Sequence, residues 1–166
     1  MKQSIYIEAP VETVFDHFMD PSNDIDLMPI GTEVLEVTMT EEGTGTYTSY
    51  RSKVAGVSFE MFDVLTDVEP DRRITSKSSS AAVGTWTYAF EPEGTGTRLT
   101  MEHQARSFWQ LPLIRNVTDM MTSRANASYM PKAKARIEAE ARKAKAVPGQ
   151  RKPAARKARN LPPAAE

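Results

Sequence analysis

From Gly31 to Arg106 the chain divides into strand-like runs separated by turn signals at intervals of about 8 to 12 residues, the rhythm of antiparallel hairpins. The runs are 33–40, 45–54, 57–69, 73–80, 85–91 and 97–106. Between them lie Glu42-Gly43-Thr44-Gly45, Ala55-Gly56, Glu69-Pro70-Asp71, Val83-Gly84 and Pro92-Glu93-Gly94-Thr95-Gly96. Six consecutive strands of this kind predict a meander.

The flanks supply what is needed to cover such a sheet. Ile5 and Ile7 alternate with Ser4, Tyr6 and Glu8, the period-2 pattern of a half-buried strand. Pro10 then suits a first helical position and Glu12 the first turn, with Val11, Val14, Phe15 and Phe18 at helical spacing. Asp20-Pro21 repeats that start and predicts a second short helix over 22–28. Beyond Phe108 the pattern is helical to about Arg142, with Leu113 or Ile114, Val117, Met121 and Ala125 on one stripe. Pro131 interrupts it and predicts a kink or break.

At 166 residues, 40% of them hydrophobic, the chain suits one domain with a substantial core. The net charge of −1 hides an asymmetry: residues 1–131 carry 10 Lys/Arg against 19 Asp/Glu, and residues 132–166 carry 11 against 3. From Ala144 the chain is rich in proline, alanine and cations with little to bury, so the domain is expected to span 1–143 and a basic disordered tail 144–166. Without cysteine, disulfides, thiolate metal sites and cysteine nucleophiles are excluded. Met1-Lys2-Gln3-Ser4 passes into a strand without a signal-peptide run, and no stretch approaches the roughly 20 apolar residues of a membrane span, so a cytoplasmic location is the expectation.

Several of these segments match one family pattern. Ala9-Pro10 followed by Val14-Phe15, the turn Val68-Glu69-Pro70-Asp71-Arg72-Arg73, and Phe90-Glu91-Pro92 with Gly96-Thr97-Arg98-Leu99-Thr100 resemble the START-like, or helix-grip (SRPBCC), superfamily and its polyketide cyclase/dehydrase group. The resemblance covers roughly residues 3–143 and implies an α+β helix-grip fold. In that fold about seven antiparallel strands curve around a long C-terminal helix, with two short helices between strands 1 and 2. It also implies a cavity between sheet and helix for a small hydrophobic molecule of lipid, polyketide or aromatic type, which is carried, or cyclised or dehydrated.

Leu99, Met101, His103 and Ala105 share one face of the last strand, which sets His103 on an apolar face. In the helix-grip arrangement that face turns toward the cavity, where burial favours a neutral imidazole able to donate or accept a proton. His103 is therefore the acid/base candidate, with Tyr88 as an oxygen-stabilising donor; the alternative is a hydrogen-bonded wall histidine. Trp86, Tyr88 and Phe90 form a stripe. Together with Leu35, Val37, Met39, Phe59, Met61, Met101, Val117, Met120 and Met121 they are candidates to line an adaptable apolar pocket or fill an ordinary core. Tyr47, Tyr50, Arg51 and Glu60 also lie on strands, and parity leaves open which face turns inward. Phe59 and Met61 alternate with Glu60 and Phe62, so either pair suits the interior.

Other chemistries find little support. The repeated Glu-Gly-Thr-Gly-Thr at 42–46 and 93–97 runs into strands in both copies, whereas a phosphate loop must open a helix, so the repeats read as hairpin turns. His17 with Asp16, Asp20, Asp24 and Asp26 reads as the exposed faces of short helices rather than a metal site, and no cofactor is implied. Ser78-Ser79-Ser80 lacks a nucleophile-elbow context. Arg151-Lys152, Arg156-Lys157 and Arg159 suit weak contact with nucleic-acid phosphates or an anionic membrane, or a solubilising tail that folds back on the acidic body.

Overall fold

The computed structural model describes residues 2–23, 27, 32–54, 57–79, 84–105 and 112–146, with 32, 52–54, 57, 59, 79, 105, 112–127 and 146 described by backbone only. Strand β1 (Lys2–Ile7) leads into helix α1 (Val11–Met19) and a 3-10 turn at Pro21–Asn23. Strands β2 (Thr32–Thr38), β3 (Tyr47–Val54), β4 (Val57–Glu69), β5 (Arg73–Ser79), β6 (Gly84–Glu93) and β7 (Gly96–Ala105) follow, and helix α2 (Pro112–Ala146) closes the described chain. The strands form one seven-stranded sheet in the order β1-β7-β6-β5-β4-β3-β2, with every pairing antiparallel. Hairpins make each link except β1 to β7, which brings the chain's first strand beside its last. This is the helix-grip arrangement.

The β1–β7 contact joins the two halves of the sequence signature. Ile5 pairs with Leu99 and Ile7 with Thr97, and the buried Thr97 hydroxyl donates to the Ala9 carbonyl at 2.8 Å. That bond satisfies a carbonyl where the backbone leaves the sheet for α1, a position at which an unpaired buried acceptor would be costly. From there α1 lays Val14 and Phe15 on the sheet, and Phe15 meets Phe90 edge-on with ring centroids 5.4 Å apart.

Of two expectations about the helices, the one of a break at Pro131 needs correction. The second short helix, expected over 22–28, is present among the described residues as the 3-10 turn Pro21–Asn23, where the Asp20 carboxylate takes both the Ser22 N–H (2.9 Å) and its hydroxyl (2.5 Å), and as a 3-10 residue at Leu27. Helix α2, however, runs through Pro131 without a break. Pro131 is exposed, whereas Met130, Ala133, Ile137 and Ala141 on either side are buried in the core. Packing on both flanks outweighs the roughly 3 kcal/mol that an interior proline costs a helix. The Lys134 ammonium adds a tie by donating to the Tyr6 carbonyl at 2.7 Å, while Glu138 accepts from the Glu8 N–H at 2.8 Å.

Two bulges reset the strand alternation. In β2 the register shifts between Val34 and Glu36, and in β4 between Leu65 and Asp67. One extra residue reverses which side chains face inward beyond it.

Candidate functional site

The inner face of the sheet can be read as rows of directly opposed residues. Thr48 of β3 faces Asp63 of β4, which faces Ser78 of β5. In the next row Leu65 faces Ser76, then Trp86 and His103, and beyond it Ile74 faces Tyr88, then Met101. A cavity of about 110 Å³ opens over the β3–β6 part of these rows. Phe18, Val34, Leu65, Ile74, Tyr88 and Tyr129 supply apolar wall, and α1 and the turn after it close one side through His17, Asp20 and Pro21. An engineered apolar cavity of roughly 150 Å³ holds benzene, so this volume suits a group of single-ring size.

One end of the cavity is polar. The Tyr50 hydroxyl donates to Asp63 Oδ2 at 2.7 Å, and the Ser78 hydroxyl donates to Asp63 Oδ1. Burial pushes the Asp63 carboxyl above its usual range, and the Ser78 and Tyr50 hydrogen bonds offset this only in part. Burial, followed by the charge of Asp63, pushes the Tyr50 phenol up as well, so Tyr50 stays neutral and donates.

A stability prediction follows from the sign of that shift. Asp63 holds its proton more tightly folded than unfolded, so its contribution is fully present below the unfolded value of 3.8 and is lost as pH rises through the raised folded value. Asp63→Asn should therefore gain in thermal midpoint relative to the parent as pH rises from about 3.5 to 7. A difference that stays constant across this range, or grows toward acid, contradicts the assignment.

The sequence candidates separate into several groups. Tyr88 lies on the cavity wall, with its ring 5.3 Å from that of Phe18. His103 is buried, 6% exposed, and stacks on Trp86 with ring centroids 4.0 Å apart and planes 18° from parallel. It covers the Cα of Gly84, where a Cβ would collide with its Nε2, and it is not among the residues lining the cavity. Phe90 and Met101 belong to the packed core, with Trp86 against it; Val37 and Met61 are half-buried.

Leu35 and Met39 are 39% and 55% exposed, contrary to their expected place in a pocket. Leu35 is the extra residue of the β2 bulge, which gives Val34 the inward position. The side chains of Phe59, Val117, Met120 and Met121 lie outside the described residues, as does the basic tail with Arg151, Lys152, Arg156, Lys157 and Arg159. Parity is resolved for the remaining strand candidates. Tyr50 turns inward, while Arg51 and Glu60 pair at 2.8 Å on the outer face, where Phe62 is 40% exposed and meets Tyr47.

Among the cavity residues that sequence reasoning missed are His17 and Asp63. His17 is buried rather than on an exposed helix face, and its Nδ1 lies 3.7 Å from Glu140 Oε2 on α2. Nothing in its local spacing distinguishes it from a surface histidine. Asp63 did carry a signal: it is a charged residue in the alternation Met61, Asp63, Leu65. Among the described residues no group of three or more His, Asp or Glu is placed to hold a metal, and no helix is long and apolar enough to cross a membrane.

The family model described as polyketide cyclase / dehydrase and lipid transport matches residues 1–142. The chain belongs to that family. No curated protein matches it in sequence. Among solved structures, this polyketide cyclase/dehydrase and lipid transport family member is similar to protein CV1439 of Chromobacterium violaceum, with a TM-score of 0.67 at 16% identity, covering 83% of this chain and 96% of that one. It is also similar to TTHA0849 of Thermus thermophilus, with a TM-score of 0.63 at 18% identity, covering 84% and 97%. A third likeness is to StfQ, the di-domain ARO/CYC of the steffimycin biosynthetic pathway, with a TM-score of 0.63 at 15% identity, covering 89% of this chain and 52% of that one. At such identities these likenesses establish a shared fold.

Proposed function

We propose that this protein binds a small apolar molecule in the cavity between the concave face of its sheet and its helices, and acts as a carrier. The observation that supports the reading is the cavity itself, with aromatic and aliphatic walls from Phe18, Leu65, Ile74, Tyr88 and Tyr129 and one polar end. Ligand sites combine those two features, because apolar area supplies affinity and a few polar groups set orientation. The family description, which includes lipid transport, points the same way. Cyclisation or dehydration of the bound molecule is the second reading, and the part played by StfQ in a biosynthetic pathway favours it. Carriage is preferred because Tyr88 lines the cavity and His103, the acid/base candidate, does not.

The test is native mass spectrometry of the protein purified from its own host, beside the variant Ser76→Phe. Ser76 is buried on the cavity wall, so a phenyl group there takes up the space a ligand would occupy. The parent is expected to carry an added mass, with a part of single-ring size that the cavity volume admits, that the folded variant lacks. An added mass retained by the variant would move the site elsewhere. A parent without added mass that also fails to bind apolar probes would end the binding reading. If the molecule recovered is chemically altered on incubation with the protein, and His103→Ala abolishes the change while retaining the ligand, the second reading replaces the first.

A further inference from the structure

We infer that Asp63, held by Tyr50 and Ser78, is the acceptor that receives a hydroxyl group of the bound molecule, so that the cavity selects small apolar ligands carrying a neutral hydrogen-bond donor. This rests on the cavity reading above and adds the class of ligand.

The inference starts from the capacity of the carboxylate. An ionised carboxyl group offers about four acceptor sites. Tyr50 occupies one on Oδ2 and Ser78 one on Oδ1, so each oxygen keeps a lone pair, and Asp63 is itself a lining residue of the cavity. Both hydroxyls are committed as donors to Asp63 and lie on separate strands, which fixes the carboxyl plane from two sides. Such a group is oriented before a ligand arrives, and pre-orientation reduces the entropy cost of binding. A carboxylate is also expensive to keep in an apolar site, where a hydrophobic residue of similar volume would serve packing as well or better.

The kind of donor follows from the surroundings. Leu65, Ile74, Tyr88 and Phe18 give the same cavity apolar wall, and the volume of about 110 Å³ admits one ring or its equivalent. An ammonium group would have to lose its water to enter, leaving its remaining N–H groups to compete for few acceptors. A hydroxyl brings a single donor and no charge. Its hydrogen bond to a carboxylate is of the stronger, charge-assisted kind.

Phenol and toluene differ by one hydroxyl in place of a methyl group and are of a size with the cavity. NMR titration of the full chain with each probe is expected to give phenol binding that weakens about 10-fold in Asp63→Asn, while toluene binding is unchanged. Tyr50→Phe removes one of the two bonds that orient Asp63 and leaves Asp63 itself in place, so it should weaken phenol binding clearly less than Asp63→Asn does. The inference is overturned if phenol affinity is indifferent to Asp63→Asn while toluene still binds, an outcome that leaves the cavity reading standing. It is also overturned if Tyr50→Phe loses phenol as Asp63→Asn does, which would make Tyr50 the ligand's partner, or if benzylamine binds more tightly than phenol. Failure of the parent to bind either phenol or toluene overturns this inference and the cavity reading together.

Discussion

Ile137→Ala is expected to lower the stability of the protein by about 2–5 kcal/mol, the range for deleting most of a buried aliphatic side chain. Ile137 is 0% exposed and, among the described residues, the largest fully buried side chain of α2. It shares its helix face with Met130, Ala133 and Ala141, spaced three and four residues apart. Two of these are alanines, which let the helix lie close to the sheet but leave Ile137 with much of the apolar contact. Lys134 and Glu138, on the same helix, bond to the Tyr6 carbonyl of β1 and to the Glu8 N–H just after it, so the surroundings are restrained and the space left behind cannot easily collapse. Pro131→Ala on the exposed side of the same helix should move the other way, by about 2 kcal/mol, since it restores helix propensity and loses some stiffness in the unfolded chain. Urea unfolding at constant slope would read both changes. A loss below about 1 kcal/mol for Ile137→Ala would mean that the helix is not anchored there.

Gly96→Ala should cost about 3 kcal/mol, at the upper end of the overpacking range, because the obstacle is backbone. A Cβ at this position falls on the Ile7 carbonyl oxygen and on the Tyr6 hydroxyl oxygen, well inside van der Waals contact. To admit it, β1 would have to move from β7, carrying with it the Thr97 to Ala9 hydrogen bond and the Ile7–Thr97 pairing. Gly94, in the same hairpin, provides the contrast. Its φ of +58° is left-handed, but nothing lies within 4 Å of a Cβ built there. Gly94→Ala should therefore cost only the backbone strain, about 1–2 kcal/mol. Amide exchange at Tyr6 and Ile7 should accelerate in Gly96→Ala and stay slow in Gly94→Ala. Equal protection in the two variants would show that β1 tolerates the added methyl.

Much of this fold was legible because its instructions are local. The turn residues around Gly43, Gly94 and Asp71, all at positive φ, ended strands where the sequence predicts turns. The run 57–69 was predicted to the residue as β4. Inward and outward assignment was less legible. Strict alternation put Leu35, Val37 and Met39 on one face, and the bulge between Val34 and Glu36 exposed Leu35 and brought Val34 in. A bulge has weak local signal, since either residue of β2 can be the extra one until β3 is paired beside it.

The sequence by itself determined the order of elements, the antiparallel hairpins and the family, because turn chemistry and hydrophobic periodicity act over a few residues at a time. Only the tertiary structure decided which side chains meet. Asp63 and Ser78 are 15 residues apart, and Asp63 and Tyr50 13, yet strand register sets all three at one end of a cavity. His103, the histidine that local pattern favoured, instead stacks on Trp86, while His17, read as a surface residue, is buried at the cavity edge by α2. Register, bulges and helix docking are long-range pairings, and no single stretch of chain contains both partners.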